Sequence, residues 1–319
     1  MNEIMVTIRC LTYNHEKYIA DAIESFLMQK VSFKYEIIIH DDASTDRTAE
    51  IIKEYEMKYP DIIKPIYQKV NQYSMGIKVS SFVRDKVRGK YIAVCEGDDY
   101  WIDPYKLQKQ FEFMEEHLEC SLCVHGGNVV SYNEKKVLYQ NNAASNNRFF
   151  TVEEIIKGGG GLFLTNSMFY RSELDKQRPN FLLNSPVGDY PLTINLALQG
   201  KVYYITDIMA AYRTGDNNSW TAREASNKVK KIKHFDKINE MLEEINCYTN
   251  YKYSEAIRYT KNLNHFGILI EQRLFKEIKL GEMKEFYENL SVKNKISIYI
   301  NQYFPVIFKI LKLIQRKLT

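Results

Sequence analysis

Apolar positions in the first hundred residues follow two different spacings. Ile4 to Leu11, Tyr35 to His40 and Tyr91 to Cys95 are short runs of strand length, whereas Ile19, Ala22, Ile23, Phe26 and Leu27 fall three and four residues apart. Short runs read as buried strands, and the wider spacing reads as one face of a helix. The pattern predicts strand, helix, strand, then a helix over Thr48 to Tyr59, a short strand near Ile62 to Tyr67, a helix near Val79 to Val87 and the strand Tyr91 to Cys95. Parallel strands in that order place ligands beyond their C-terminal ends. Three polar sets stand at such ends: Thr12-Tyr13-Asn14, Asp41-Asp42 and Glu96 to Asp99.

Beyond Pro104 the pattern is mixed. It predicts a helix over Lys106 to His117, strands near Leu122 to Tyr132 and Leu164 to Tyr170, and a helix from Pro191 to Leu198 followed by a strand over Val202 to Thr206. These extend one sheet into an α/β domain over residues 1–221. Gly158-Gly159-Gly160-Gly161 lacks the Lys-Ser/Thr of a phosphate-binding P-loop and reads as a mobile or sharply turning loop. From about Ala222 helical periodicity with many Lys and Glu takes over, so residues 222–319 read as a separate helical region.

Composition changes this picture little. A chain of 319 residues, 45% hydrophobic, can bury a substantial core. A net charge of +4 is too small to indicate a nucleic-acid partner. Five cysteines do not suggest a disulfide framework, and Cys120-x-x-Cys123 lacks a second pair or a histidine at zinc-finger spacing. Met1 to Arg9 contains Glu3 and shows no secretory pattern, which sets the expectation of synthesis into the cytosol.

The basic excess gathers at the C-terminus. Residues 293–319 interleave Ile296, Ile298, Ile300, Phe304, Val306 and Ile307 with Lys293, Lys295, Lys309, Lys312, Arg316 and Lys317, and contain no acid. These charges and Pro305 argue against a spanning helix, which needs about 20 mostly apolar residues. Two readings fit: an amphipathic helix lying on anionic lipid, or a helix packed on its own domain or on a second copy in a homodimer. The first places the protein at the inner face of the cell membrane.

The densest chemistry lies in Cys95-Glu96-Gly97-Asp98-Asp99-Tyr100-Trp101, where an apolar strand runs straight into paired carboxylates. Adjacent acids repel and bind water strongly, so holding them at a strand's end suits a divalent cation or polar ligand between them. The plainer reading is an acidic turn before the helix that follows Pro104. Taken with Val6 to Asn14, His40-Asp41-Asp42-Ala43-Ser44-Thr45-Asp46 and Gly89-Lys90-Tyr91-Ile92, the segment resembles the inverting family-2 glycosyltransferases of GT-A fold over about residues 4–215.

That resemblance implies an α/β, Rossmann-like GT-A domain with a C-terminal helical appendage. It implies a UDP-sugar donor whose base lies against Thr12, Tyr13, Asn14, Asp41 and Asp42, with Asp98 and Glu96 toward the ribose. Asp99 is implied to hold Mg²⁺ or Mn²⁺ on the diphosphate, and Asp189, in Val187-Gly188-Asp189-Tyr190-Pro191, to be the general base. Read without the resemblance, Asp189 is a helix cap. Ala211-Tyr212-Arg213-Thr214-Gly215 resembles the family's Tyr-Arg segment, with Gly215 where relatives often carry a metal-binding histidine; Asp216 or water would fill that place. Arg213 and Trp220 are candidates for the diphosphate or acceptor. The acceptor implied is a hydroxyl of a cell-surface glycan or lipid-linked intermediate.

Two other classes are compatible with a nucleotide-binding sheet. A sugar nucleotidyltransferase would carry a Gly-rich basic loop after the first strand, unlike Leu11 to Glu16. A scaffold without turnover would have less reason to keep Asp42, Asp98, Asp99 and Asp189.

Overall fold

Strand β1 (Ile4–Thr12) is buried without alternation from Val6 to Cys10, the signature of a strand covered on both faces. Nine further strands join it: β2 (Lys34–Asp41), β3 (Ile63–Tyr67), β4 (Tyr91–Val94), β5 (Tyr100–Trp101), β6 (Cys120–Ser131), β7 (Val137–Asn141), β8 (Arg148–Phe150), β9 (Phe169–Arg171) and β10 (Lys201–Thr214). They form one mixed sheet in the order β3-β2-β1-β4-β9-β6-β10-β5, with β7 on β6 and β8 on β10. The β1–β2, β2–β3, β1–β4 and β6–β10 pairs are parallel, while β9 runs antiparallel to both β4 and β6. The computed structural model describes residues 3–176, 178–215 and 228–308.

Helices α1 (Ile19–Leu27), α2 (Thr48–Lys58), α3 (Ser80–Arg84), α4 (Lys106–Glu116) and α5 (Val152–Gly158) accompany the sheet. The apolar face of α1 buries Ile19, Ala22, Ile23 and Phe26, and the Phe26 ring lies 4.9 Å from Trp101. At the N-terminal strand ends, buried Glu36 accepts from Thr7 Oγ1 at 2.7 Å and from the Arg88 amide at 3.1 Å. Gly89 passes so close that a Cβ there would stand 2.4 Å from the Thr7 amide nitrogen. That end is locked, and the opposite end carries the polar turns.

The pattern-based elements differ from the structure in specific places. The run Leu164 to Tyr170 begins as a 3₁₀ turn over Thr165–Ser167, because Ser167 Oγ donates to the Leu164 carbonyl at 2.6 Å, a local bond that competes with the ladder. β10 continues to Thr214, past the predicted Thr206, with register shifts between Ile205 and Ala210 that let one long strand serve β8, β6 and β5. α5, absent from the periodicity reading, starts at a capping box formed by Thr151 and Glu154.

The chain divides into two units: residues Met1–Pro179 with Leu192–Thr214, and residues Asn180–Pro191 with Gly215–Thr319. The second contains α6 (Asn180–Leu183), the start of α7 (Asp189–Gln199), α8 (Lys228–Tyr248), α9 (Ser254–Gln272), α10 (Met283–Glu288) and α11 (Val292–Tyr303). Phe266, Leu269, Phe275, Ile278, Met283 and Ile298 form one of its cores. Among the described residues no helix is long and apolar enough to cross a membrane.

Candidate active site

The C-terminal ends of β1 and β2 are tied together by side chains that replace missing ladder bonds. Asn14 adopts φ 56°, a left-handed conformation that asparagine tolerates. Its amide donates to Ser44 Oγ at 2.9 Å, and its Oδ1 accepts from the Thr45 amide at 2.7 Å. The His15 amide donates to Thr48 Oγ1 at 2.8 Å, and the Glu16 amide to Asp46 Oδ2 at 3.1 Å. Asp41 accepts from the Ser44 hydroxyl; burial raises its pKa, and that bond opposes the rise. Asp42 takes the Gln72 amide on Oδ1 at 2.8 Å and the Tyr73 amide on Oδ2 at 3.0 Å. Asn14, Asp41 and Asp42 thus hold loops in place, and a carboxylate oxygen that takes one donor still has a lone pair for another. Tyr13 stands exposed at the tip of this edge.

Beside them, β4 leads into the acidic turn. The Gly97 amide donates to the Leu11 carbonyl at 2.9 Å. A Cβ on Gly97 would stand 2.6 Å from Thr12 Oγ1 and 3.1 Å from His15 Nδ1, so only glycine lets the turn approach β1. Thr12 Oγ1 and His15 Nδ1 are both buried without a hydrogen-bond partner. Glu96 is half-buried and its charge lies near the buried guanidinium of Arg9.

Asp98 and Asp99 face different surroundings. Asp99 is 1% exposed; its Oδ1 accepts from the Arg213 amide at 2.8 Å and its Oδ2 from Asn166 Nδ2 at 3.1 Å. Burial pushes its carboxyl well above the usual carboxylate range, the neighbouring Asp98 charge adds to this, and the Arg213 amide opposes it. The Asp98 side chain is 36% exposed and points toward His15, with Oδ2 3.9 Å from Nε2. The turn therefore leaves open the carboxylate of Asp98, whereas both oxygens of Asp99, the expected cation ligand, already take one donor each and water scarcely reaches them.

Arg213 likewise turns inward instead of presenting its guanidinium to a diphosphate. It donates to the Asp98 carbonyl at 2.6 Å, pairs with Asp21, and lies 4.5 Å from the Tyr100 ring and 5.1 Å from the Tyr18 ring. Lys135 reaches the same Asp21 at 2.9 Å. Trp101 and His125 are core residues: Trp101 Nε1 donates to the Asn166 carbonyl at 2.9 Å, and His125 Nδ1 lies 2.7 Å from the Gly126 carbonyl. Asp189 opens α7 in the second unit, and its Oδ1 accepts from the Tyr190 amide at 2.7 Å. Trp220 and Asp216 lie outside the described residues.

Sequence reasoning missed His15, Asn166, Asp21 and Lys135. His15 sits inside a motif already singled out, whereas Asn166, 67 positions from Asp99, carries no local signal of its role. The donors around Asp98 suit a divalent cation. Mg²⁺ and its kin are commonly held by one or two carboxylates, with substrate phosphates completing the shell. Among the described residues no cluster of three or more His, Cys, Asp or Glu is preassembled.

This arrangement has counterparts among known proteins. An uncharacterized protein of Mycobacterium tuberculosis is 34% identical over 219 residues, which is 67% of this chain and 60% of the relative, so the chain spans less than two thirds of that protein's length. The fold is that of S. aureus TarS 1–349 in complex with UDP-GlcNAc, at TM-score 0.59 and 18% identity over 94% of this chain and 79% of that one. It is also that of the mannosyltransferase PcManGT from Pyrobaculum calidifontis in complex with GDP-Man and Mn²⁺, at TM-score 0.59 and 12% identity over 99% and 85%. Residues 8–178, more than half of the chain and including both strand-end turns, match the profile of the family described as glycosyl transferase family 2. The chain belongs to glycosyl transferase family 2, and its first unit is a GT-A domain.

Proposed function

We propose that the chain transfers a sugar from a UDP-sugar to an acceptor hydroxyl with inversion at the anomeric carbon. One observation carries this reading: an open Asp98 carboxylate stands at the ligand-binding end of parallel strands, near the unpartnered Thr12 Oγ1 and His15 Nδ1, on a turn whose other aspartate, Asp99, is held by Asn166 and the Arg213 amide. Tyr13 covers the uracil face, and Asp42 accepts the base N–H. Asp98, with Glu96 near the ribose, holds Mn²⁺ or Mg²⁺, which neutralises charge developing on the departing diphosphate. Asp99, Asn166 and Arg213 act through the backbone of the turn: they fix where Asp98 points. Asp189 takes the proton of the acceptor hydroxyl as that oxygen attacks the face opposite the phosphate.

The acceptor is a cell-surface glycan or its lipid-linked precursor, met at the inner face of the cell membrane. Supporting this, Val292, Ile296, Tyr299 and Tyr303 form an exposed stripe along α11 at helical spacing. Residues 289–319 contain six cations and no acid. An apolar stripe flanked by cations matches an anionic lipid surface.

The test is nucleotide release from a panel of UDP-sugars, with and without Mn²⁺. Cation-dependent UDP release supports transfer. Pyrophosphate exchange would mark a nucleotidyltransferase instead, and donor binding without turnover a scaffold.

A further inference from the structure

We propose that His15 is the second protein ligand of the donor-site cation, beside Asp98. This rests on reading the strand ends as a cation-dependent sugar-nucleotide site and adds to it an imidazole that the acidic motif does not contain.

The separation is the first reason. His15 Nε2 stands 3.9 Å from Asp98 Oδ2, too far for a hydrogen bond. Two ligands that each sit about 2.1 Å from one ion stand about 3 to 4 Å apart. The His15 backbone is also held before any ion arrives, and its ring has a neighbour. The His15 amide is bound to Thr48 Oγ1, its carbonyl accepts from the Tyr18 and Ile19 amides at 2.9 and 2.8 Å, and its ring meets the Tyr18 ring edge-on at 6.3 Å.

The tautomer supplies the second reason. His15 Nδ1 and Thr12 Oγ1, both buried and unpartnered, border the same small space over Gly97. With the proton on Nδ1, facing the space shared with Thr12, Nε2 turns a lone pair toward Asp98. In ligating histidines the nitrogen away from the metal carries the proton. A lone pair facing a carboxylate across a few ångströms is repulsive unless a cation lies between them. Because Mg²⁺ takes oxygen ligands by preference, one imidazole in the set tilts selection toward Mn²⁺.

Pulsed EPR on the full chain with Mn²⁺ and UDP tests this directly. The expected result is a histidine nitrogen coupling on Mn²⁺ that changes with ¹⁵N-histidine labelling and vanishes in His15→Ala. In that variant Mn²⁺ affinity in the presence of UDP should fall on the order of 10- to 100-fold with the thermal melt unchanged. An Mn²⁺–UDP complex without nitrogen coupling, or with coupling that survives His15→Ala, overturns the assignment while leaving the sugar-nucleotide reading intact. Failure of the wild-type chain to bind Mn²⁺ with UDP at all overturns both.

Discussion

The strand-end turns of the first unit and helix α11 of the second depart from ordinary residue placement in opposite directions. At the turns, Asp41, Asp42, Asp99 and Arg213 are buried ionisable side chains. Along α11, Val292, Ile296, Tyr299 and Tyr303 are exposed apolar side chains. Burying a charge is tolerated only with partners, and each of these side chains at the turns has them. An exposed apolar stripe of this regularity marks a contact surface. The difference teaches where to look for specificity and where for location. The turns hold their backbone by named hydrogen bonds, while the helix presents area and charge.

The largest effect expected belongs to the proton transfer that the turns serve. Asp189→Asn should lower kcat on the order of 10²- to 10⁴-fold with UDP affinity unchanged by calorimetry; a loss of UDP affinity instead would place Asp189 in donor binding. Next comes the pair that sharpens the contrast within the turn itself. Asp98→Asn should cost on the order of 10²- to 10³-fold in transfer and weaken Mn²⁺ binding without changing the melt. Asp99→Asn should lower the melting temperature first. The reverse pattern would restore Asp99 as the cation ligand.

On the other side of the comparison, Ile296→Asp with Tyr299→Asp should reduce binding to anionic vesicles roughly 100-fold, as expected from losing about 3 kcal/mol of apolar burial, while UDP release in solution stays normal. Unchanged vesicle binding would assign the stripe to another chain surface. A further effect, spread thinly over several pH units, concerns Lys106, fully buried with its amine 4.1 Å from the Trp101 ring. Burial lowers its pKa from 10.5 to about 7. The unfolded chain keeps that proton up to 10.5 and the folded one releases it near 7. Unfolding therefore takes up a proton between those values, and this residue makes stability rise with pH there by at most about 1.4 kcal/mol per pH unit. Below pH 7 its destabilisation is complete. Lys106→Met should flatten that rise in pH-dependent melts, and an unchanged slope would contradict the shift.

Much of the architecture is legible because buried parallel strands leave continuous apolar runs: β1, β2 and β4 can be read from the apolar pattern alone. β7 and β8 cannot, since Val137 to Asn141 and Arg148 to Phe150 are largely exposed; β7 takes its shape from its hairpin with β6, and β8 from pairing with β10 some fifty positions away. The same division holds at the site. The acids announce themselves, but whether an acid faces solvent or the interior is decided by Asn166 and Arg213, which arrive from 67 and 114 positions away. No local pattern encodes that choice, so Asp98 and Asp99 look interchangeable until their partners are known.

The most direct test of the strand-end site is a crystal structure of the full chain with UDP and Mn²⁺. The expected result is a cation about 2.2 Å from a carboxylate oxygen of Asp98, with the diphosphate beside it, the base near Tyr13 and Asp42, and the Asp99 bonds to Asn166 and Arg213 unbroken. A cation bound to Asp99 with those two bonds broken, or a nucleotide bound away from the ends of β1, β2 and β4, would contradict it.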